Sequence, residues 1–240
     1  MYAFYDAYFI ASKNKDFFLQ FINKYFNNDC LLCDSRTEHN AKLLCDLCMS
    51  DLDLYPLGSD LLYSYSSISS HIIHDAITGI AVVSNYQWPF EQWIPQMKFH
   101  NHINSAKLMG QMLNEHLANS LWPTIDLITP MPIHSQRLLQ RGYNQAELLC
   151  KFINYSSHST LFHGLTRTKY TQPQTELNKI ERKQNMKQAF ACENTVQGKT
   201  VLLVDDVITT GHTANAAAQE LLNSGATAVY LVAVAIRKYN

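Results

Sequence analysis

The chain predicts an α/β fold: a parallel sheet flanked by helices, preceded by a small cysteine-bearing module. Three features of its 240 residues carry that expectation. Short apolar runs with β-branched character recur at residues 80–83 (IAVV), 201–204 (VLLV) and 226–236 (ATAVYLVAVAI). Such runs suit strands buried on both faces. Segments with helical spacing lie between them, the order expected of crossover helices on a parallel sheet. Four cysteines stand apart from this body as two CxxC pairs.

Length and charge set the outer bounds. A chain of this size can bury a substantial core, and one α/β domain with a small appendage is the natural division. The net charge of -1 excludes a globally basic nucleic-acid binder but not a local patch. No apolar run approaches membrane-spanning length and no signal-peptide pattern opens the chain, so a cytoplasmic protein without membrane insertion is expected.

The first region, residues 1–29, carries Phe17, Phe18, Phe21, Ile22, Tyr25 and Phe26 at helical spacing. This predicts an amphipathic helix over residues 14–26 that packs on neighbouring protein; its polar face is too poor in Lys and Arg for a membrane-surface helix. Residues 30–55 form the cysteine module. Cys30 and Cys33 are separated from Cys45 and Cys48 by eleven residues, a spacing that lets four thiolates surround one zinc ion. Four protein ligands leave no open position, so the zinc is expected to be structural. His39 lies between the pairs as an exposed loop residue or a substitute ligand. A knuckle of this kind holds either a nucleic acid or a partner protein. Residues 56–75, rich in Ser and Tyr with Pro56 and Gly58, read as a linker.

The main domain is expected over residues 76–240. A strand at 80–83 is broken by Trp88-Pro89-Phe90, and a helix follows that ends near residues 96–100. A second helix, 104–118, places Ala106, Met109, Leu113 and Leu117 on one face. Residues 125–128 read as a strand whose exit is set by Pro130 and Pro132. Arg137 and Arg141 are four apart and share a helix face. Gly142 ends that turn, and Asn144 caps a new helix running to about residue 155. These arginines and Asn144, beside a sheet's carboxyl end, suit an anion pocket, or the arginines are simply solvated. A strand at 161–165 and a polar loop at 167–174 come next. A helix with Lys179, Arg182, Lys183 and Lys187 then forms a basic stripe.

Residues 134–188 hold nine lysines or arginines against three carboxylates, a local excess of +6, whereas residues 1–133 carry -6. Positive charge concentrated in one segment attracts a polyanion there, either a nucleic-acid strand or a diphosphate. Tyr143, Tyr155 and Tyr170 are interleaved and able to stack on unpaired bases.

Residues 199–222, KTVLLVDDVITTGHTANAAAQELL, carry the most specific chemistry. A strand is expected to end at Asp205 and Asp206, followed by a hydroxyl-rich turn and an Ala-rich helix. Loop amides and a helix N-terminus point free N–H groups at one spot and favour an anion. Gly211 permits close backbone approach, and Thr209, Thr210 and Thr213 add hydroxyl donors. Two carboxylates cannot be phosphate ligands, but they suit sugar hydroxyls or a divalent cation. The stretch therefore reads as a sugar-phosphate site.

VLLVDDVITTGHT resembles the PRPP-binding loop of type I phosphoribosyltransferases. That loop, the paired CxxC knuckle, PMPIHSQRLLQRGYNQA, the polar stretch from Arg167 to Gln174 and RKQNMKQAF together, in their order, resemble the ComF family of competence proteins, GntX-like members included. The resemblance covers nearly all of the chain after residue 29. It implies a phosphoribosyltransferase type I-like sheet domain that binds PRPP with Mg²⁺. Asp205 and Asp206 would hold the ribose hydroxyls and form the catalytic pair in an active enzyme. Thr209, Thr210, Gly211, His212 and Thr213 would cradle the ribose phosphate, and Lys98 would face the pyrophosphate. His212 stands where relatives often have Ala, a change of little consequence to a loop that binds through its backbone. The resemblance also implies single-stranded DNA binding during natural transformation, with a DNA-import helicase or recombination mediator as partner. Arg137, Arg141, Arg167, Lys169, Lys179, Arg182, Lys183 and Lys187 would carry the DNA. Two alternatives stay open: an active phosphoribosyltransferase acting on a nitrogen nucleophile, and a regulatory PRPP-binding module. No base-recognition segment stands out in the sequence.

Overall fold

The computed structural model describes residues 29–37, 42–99, 103–154, 158–168, 189–192 and 196–237. The helix expected over 14–26, His39, Tyr155, Tyr170, Lys169, Lys179, Arg182, Lys183 and Lys187 lie outside these residues. The chain divides into two compact units, Met1–Leu52 and Asp53–Asn240.

In the first unit a bridge between Asp29 and Arg36 closes a tight turn. Asp34 adopts a left-handed φ of 56° there and donates its N–H to Cys30 O at 3.0 Å. Leu31 N donates to Leu43 O at 2.9 Å, which draws the second CxxC segment alongside the first. Helix α1, Asp46–Ser50, starts from Cys45, whose sulfur accepts the Cys48 N–H. No α1 residue is buried. Among the described residues of this unit, only Cys30, Thr37, Leu44 and Leu52 are.

The second unit is organised by a five-stranded parallel sheet. Its strands are β1 (Gly79–Asn85), β2 (Leu127–Pro130), β3 (Thr160–Leu161), β6 (Thr200–Ile208) and β7 (Ala228–Ile236), in the order β1-β7-β6-β2-β3. Every residue of β1 and all but the first of β7 are buried. Their unbroken apolar runs are what a sheet covered on both faces requires. Helices α4 (Phe90–Phe99) and α5 (Ile103–Ala118) follow β1, and α5 buries Ala106, Met109, Leu113 and Leu117, as its stripe predicts.

Four expectations are corrected. Residues 56–75 are not a linker. They form α2 (Leu61–Ser64) and α3 (Ser66–Ser69), with Leu61 fully buried and Ile72 in the same core. Asp60 fixes them to the sheet by accepting N–H groups from Leu62 at 3.0 Å, Ile80 at 3.1 Å and Trp122 Nε1 at 2.8 Å. The strand expected to end at Asp205 continues to Ile208, because β7 extends equally far and pairs Asp205 with Ala233 and Ile208 with Ile236. The helix capped by Asn144 is short: α7 spans Gln145–Cys150 and does not reach residue 155. The single strand expected at 161–165 divides into β3 and β4 (Leu165–Arg167). The latter pairs antiparallel with β5 (Phe190–Cys192) in a separate two-stranded sheet.

These corrections shape the site. Strand β2 leaves the sheet after Pro130, where Met131 N donates to Val204 O at 2.7 Å. Beyond that point β6 has a neighbour only on the β7 side. Helix α8 (His212–Asn223) carries the chain from β6 to β7, whereas β2 leads through α6 (Ser135–Arg141) and α7 toward β3 on the opposite side. Strand order thus reverses between β2 and β6. Ligand crevices in open α/β sheets form at such reversals, outside the carboxyl ends of the strands.

Candidate ligand site and metal centre

A crevice of about 200 Å³ occupies this reversal point. Asp205 and Asp206 enter it from the overhanging end of β6, and Lys98 reaches it from the last turn of α4. Arg137 and Arg141 come from α6 and Arg167 from the end of β4. Thr209, Gly211 and Thr213 complete the wall. The structure therefore gathers Lys98, Asp205, Asp206, Thr209, Gly211 and Thr213 at one site. Thr210 and His212 do not line it: the Thr210 carbonyl accepts the Ile73 N–H at 3.0 Å, and His212 opens helix α8. Arg137, Arg141 and Arg167, expected on a nucleic-acid surface, stand in the same crevice as the aspartates.

The turn is held open by its own backbone. Gly211 has φ 75°, and a Cβ there would collide with the Ile73 carbonyl oxygen. No side chain caps α8, and the first-turn N–H groups of a helix have no acceptor within it. The helix dipole adds to their attraction for an anion.

Electrostatics distinguish the two aspartates. Asp206 forms an ion pair with Lys98 at 2.8 Å. Asp205 accepts the Asp206 N–H at 2.8 Å, yet its carboxyl is pushed up to about 7. Burial is the largest cause and the Asp206 charge the next; the hydrogen bond, Lys98 and Arg167 pull the other way. Burial and Arg137 lower the Arg167 guanidinium, Asp205 opposes that, and the guanidinium also lies 5.6 Å from the Phe190 ring centroid. The crevice thus has an acidic half suited to hydroxyls or a divalent cation and a basic half suited to phosphate.

Asn144, expected beside the arginines at an anion pocket, lines the crevice, and so does Gln145, which the sequence reading missed. Asn144 was legible as a helix cap, and its Oδ1 does accept Ala146 N–H at 3.1 Å while Nδ2 donates to Met131 O. Gln145 is only 2% exposed, accepts from Arg141 Nη1 at 3.1 Å and leaves Nε2 without a partner among the described residues. A glutamine so buried at a crevice wall was not predictable from its position in RGYNQA. Tyr143 is not free to stack through both faces and its hydroxyl, since the latter donates to Met97 O.

The four cysteines meet as expected. Their sulfurs all lie within 4.8 Å of one another. Zinc–sulfur bonds of about 2.3 Å in a tetrahedron require sulfurs about 3.8 Å apart, and Cys33 and Cys45 stand at 3.7 Å. The donor set fits a structural zinc: Cys30, Cys33, Cys45 and Cys48 would hold it with no open position. Without metal the thiols share protons unequally. Ser35 lowers Cys33 to about 6 by hydrogen bonding, and the bond to Cys33 raises Cys48.

Comparison with known proteins agrees with this geometry. Residues 159–239 match the phosphoribosyl transferase domain model. DNA utilization protein YhgH of Escherichia coli K12 is 35% identical over 155 residues, 62% of this chain and 68% of the relative. Competence protein ComFC of Bacillus subtilis is 33% identical over 199 residues, 83% and 80% of the two chains. Competence protein F of Haemophilus influenzae is 28% identical over 204 residues, 80% and 89%. Identity on this scale, over chains of matching extent, joins the cysteine module and the phosphoribosyltransferase-type sheet into one assignment: the chain belongs to the ComF family.

Proposed function

We propose that this protein binds PRPP with Mg²⁺ in the β2/β6 crevice and handles single-stranded DNA in the cytoplasm during natural transformation. The observation that carries the first half is the division of one crevice into an acidic and a basic half beside an uncapped helix N-terminus. Asp205 and Asp206 take the ribose hydroxyls or the cation, the turn at Thr209–Thr213 takes the ribose phosphate, and the arginines and Lys98 take the diphosphate. Relatives named for competence and DNA utilization support the second half. So does the excess of positive charge in residues 134–188. The deciding measurement is thermal melting with PRPP and Mg²⁺. A rise that vanishes in Asp205→Ala with Asp206→Ala supports the assignment, and a rise that survives removes it. Binding of a single strand should weaken steeply with salt; silence in dilute buffer counts against the DNA role.

One observation favours turnover as a second reading. Lys98, Arg137, Arg141 and Arg167 converge where a departing diphosphate would need its charge met. Diphosphate release with a panel of nitrogen bases tests it, and consistent silence leaves a binding module.

A further inference from the structure

A second cavity, of about 490 Å³, lies at the carboxyl ends of β1 and β7. Its floor is made by the buried residues Ile72, Asn85 and Ile236, and its walls include Tyr55 and Tyr65, packed edge to face with centroids 5.1 Å apart. Arg237 stands exposed on the rim. The volume lies within the range of small-molecule sites, about 300–1,000 Å³. Asp53, Ser67 and His71 also line it, so the cavity mixes aromatic walls with several polar groups.

Asn85 is the informative residue. It is 7% exposed, and its Oδ1 accepts the Tyr55 hydroxyl at 2.8 Å. The same side chain lines the cavity. Whichever way the amide is turned, Tyr55 meets one of its two polar ends. An amide on the wall of a lined cavity offers a ligand both a donor and an acceptor. A planar heterocycle answers all three features. Its face stacks on a tyrosine ring, its edge pairs with the amide, and an attached phosphate meets Arg237.

We infer that this cavity binds a single unpaired nucleobase, with the attached phosphate at the Arg237 rim. The site is separate from the β2/β6 crevice but abuts it. Arg237 N donates to Ile208 O at 2.9 Å, and Ile208 lines the crevice. Ile73 N, next to the floor residue Ile72, donates to the carbonyl of Thr210 in the phosphate turn. The base comes either from a free nucleotide or from a strand, and the same chemistry recognises both.

The test uses the full chain. The four deoxynucleoside monophosphates are followed by saturation-transfer NMR, and a short labelled oligodeoxythymidine strand by fluorescence anisotropy. Tyr65→Ala removes the stacking ring, and Asn85→Asp keeps the acceptor for Tyr55 while removing the amide donor. At least a tenfold loss of affinity in both variants is expected for the source that uses the site. Loss confined to the monophosphates identifies a free nucleotide, and loss confined to the oligonucleotide identifies a strand. In the wild-type protein, magnetisation transfer from tyrosine ring protons to the base provides a readout independent of either variant's folding. Asp205→Ala with Asp206→Ala should leave base binding unchanged, so failure here is distinguishable from failure of the PRPP reading. Absence of that transfer, together with unaltered strand affinity in folded variants, overturns the inference.

Discussion

In the cysteine knuckle, four thiols stand within 4.8 Å of one another, and helix α1 beside them buries nothing. In the crevice, two carboxylates stand at the end of a strand whose preceding residues, Val201 to Val204, are fully buried. Both places gather like groups that repel once ionised, and both suit a divalent cation. They differ in which came first, the frame or the ligand. Among its described residues the knuckle buries few apolar side chains, so on the zinc reading the ion supplies the order. The crevice sits on a finished sheet, so its ligand arrives at a frame already set. On these readings the same chemical motif, clustered anions, is structural where the surrounding core is thin and functional where it is thick.

The sharpest way to break this contrast is to remove the metal ligands. Structural zinc contributes about 10 kcal/mol or more to small metal-held folds. Cys33→Ser with Cys45→Ser should abolish stoichiometric zinc and strip hydrogen-exchange protection from residues 29–52. Amides of β6 and β7 should keep theirs. A knuckle that stays protected after chelation would show that metal is not its frame.

The converse substitution belongs in the crevice. With PRPP and Mg²⁺ at about 100 times Kd, binding should stabilise the protein by about 2.7 kcal/mol, or roughly 5–10 °C in Tm. Asp205→Ala with Asp206→Ala should lose that gain. In the absence of ligand its Tm should not fall below wild type, because the double variant relieves repulsion and desolvation at Asp205. A large drop without ligand would make the aspartates structural and erase the difference between the two sites.

A third measurement asks whether the turn is set before ligand binds. Gly211 is held at φ 75° against the Ile73 backbone. Gly211→Ala should cost about 1–2 kcal/mol from backbone conformation alone, and more from the collision, already in the ligand-free protein. An unchanged ligand-free Tm would mean that the turn is shaped only on binding.

How much of this was legible beforehand follows the same division. Strong local signals survived: two CxxC pairs and apolar runs for β1, β6 and β7. What failed depended on partners distant in sequence. Asp205 to Ile208 look like a turn because two acids and a threonine run follow, yet β7 supplies a continuing ladder from Ala233 to Ile236. The segment after Pro56 looks like a linker because Ser and Tyr dominate its composition. One leucine, Leu61, and one carboxylate with three N–H partners decide otherwise. Strands β4 and β5 pair across more than twenty residues, and each is only three long. Arg137 and Arg141 were legible as candidates for an anion pocket, but only the fold shows that Arg167 and the aspartates line the same crevice.

The smallest expected effect is the most specific to the crevice. Asp205 keeps its proton up to about pH 7 in the empty protein, chiefly because burial disfavours its charge. An unfolded aspartate releases its proton near 3.9. Between these values the folded state holds the extra proton. This contribution to stability is therefore full below about pH 4, declines as pH rises toward 7, and is level above. Ligand binding has the opposite slope. Coordination of a cation, or acceptance of a ribose hydroxyl, needs the carboxylate, so PRPP·Mg²⁺ must displace the proton. Affinity should fall by up to about tenfold, or about 1.4 kcal/mol, per pH unit below 7 and be flat above. Calorimetry in buffers of different ionisation enthalpy should register proton release near pH 6 and little at pH 8.5. Asp205→Asn, which has no proton to release, should flatten the residual profile, once the pH dependence of the ligand's own phosphates is subtracted. A wild-type profile identical to that of Asp205→Asn would place the ligand away from this carboxylate. The crevice would then hold its charge for the fold, as the knuckle holds its thiols.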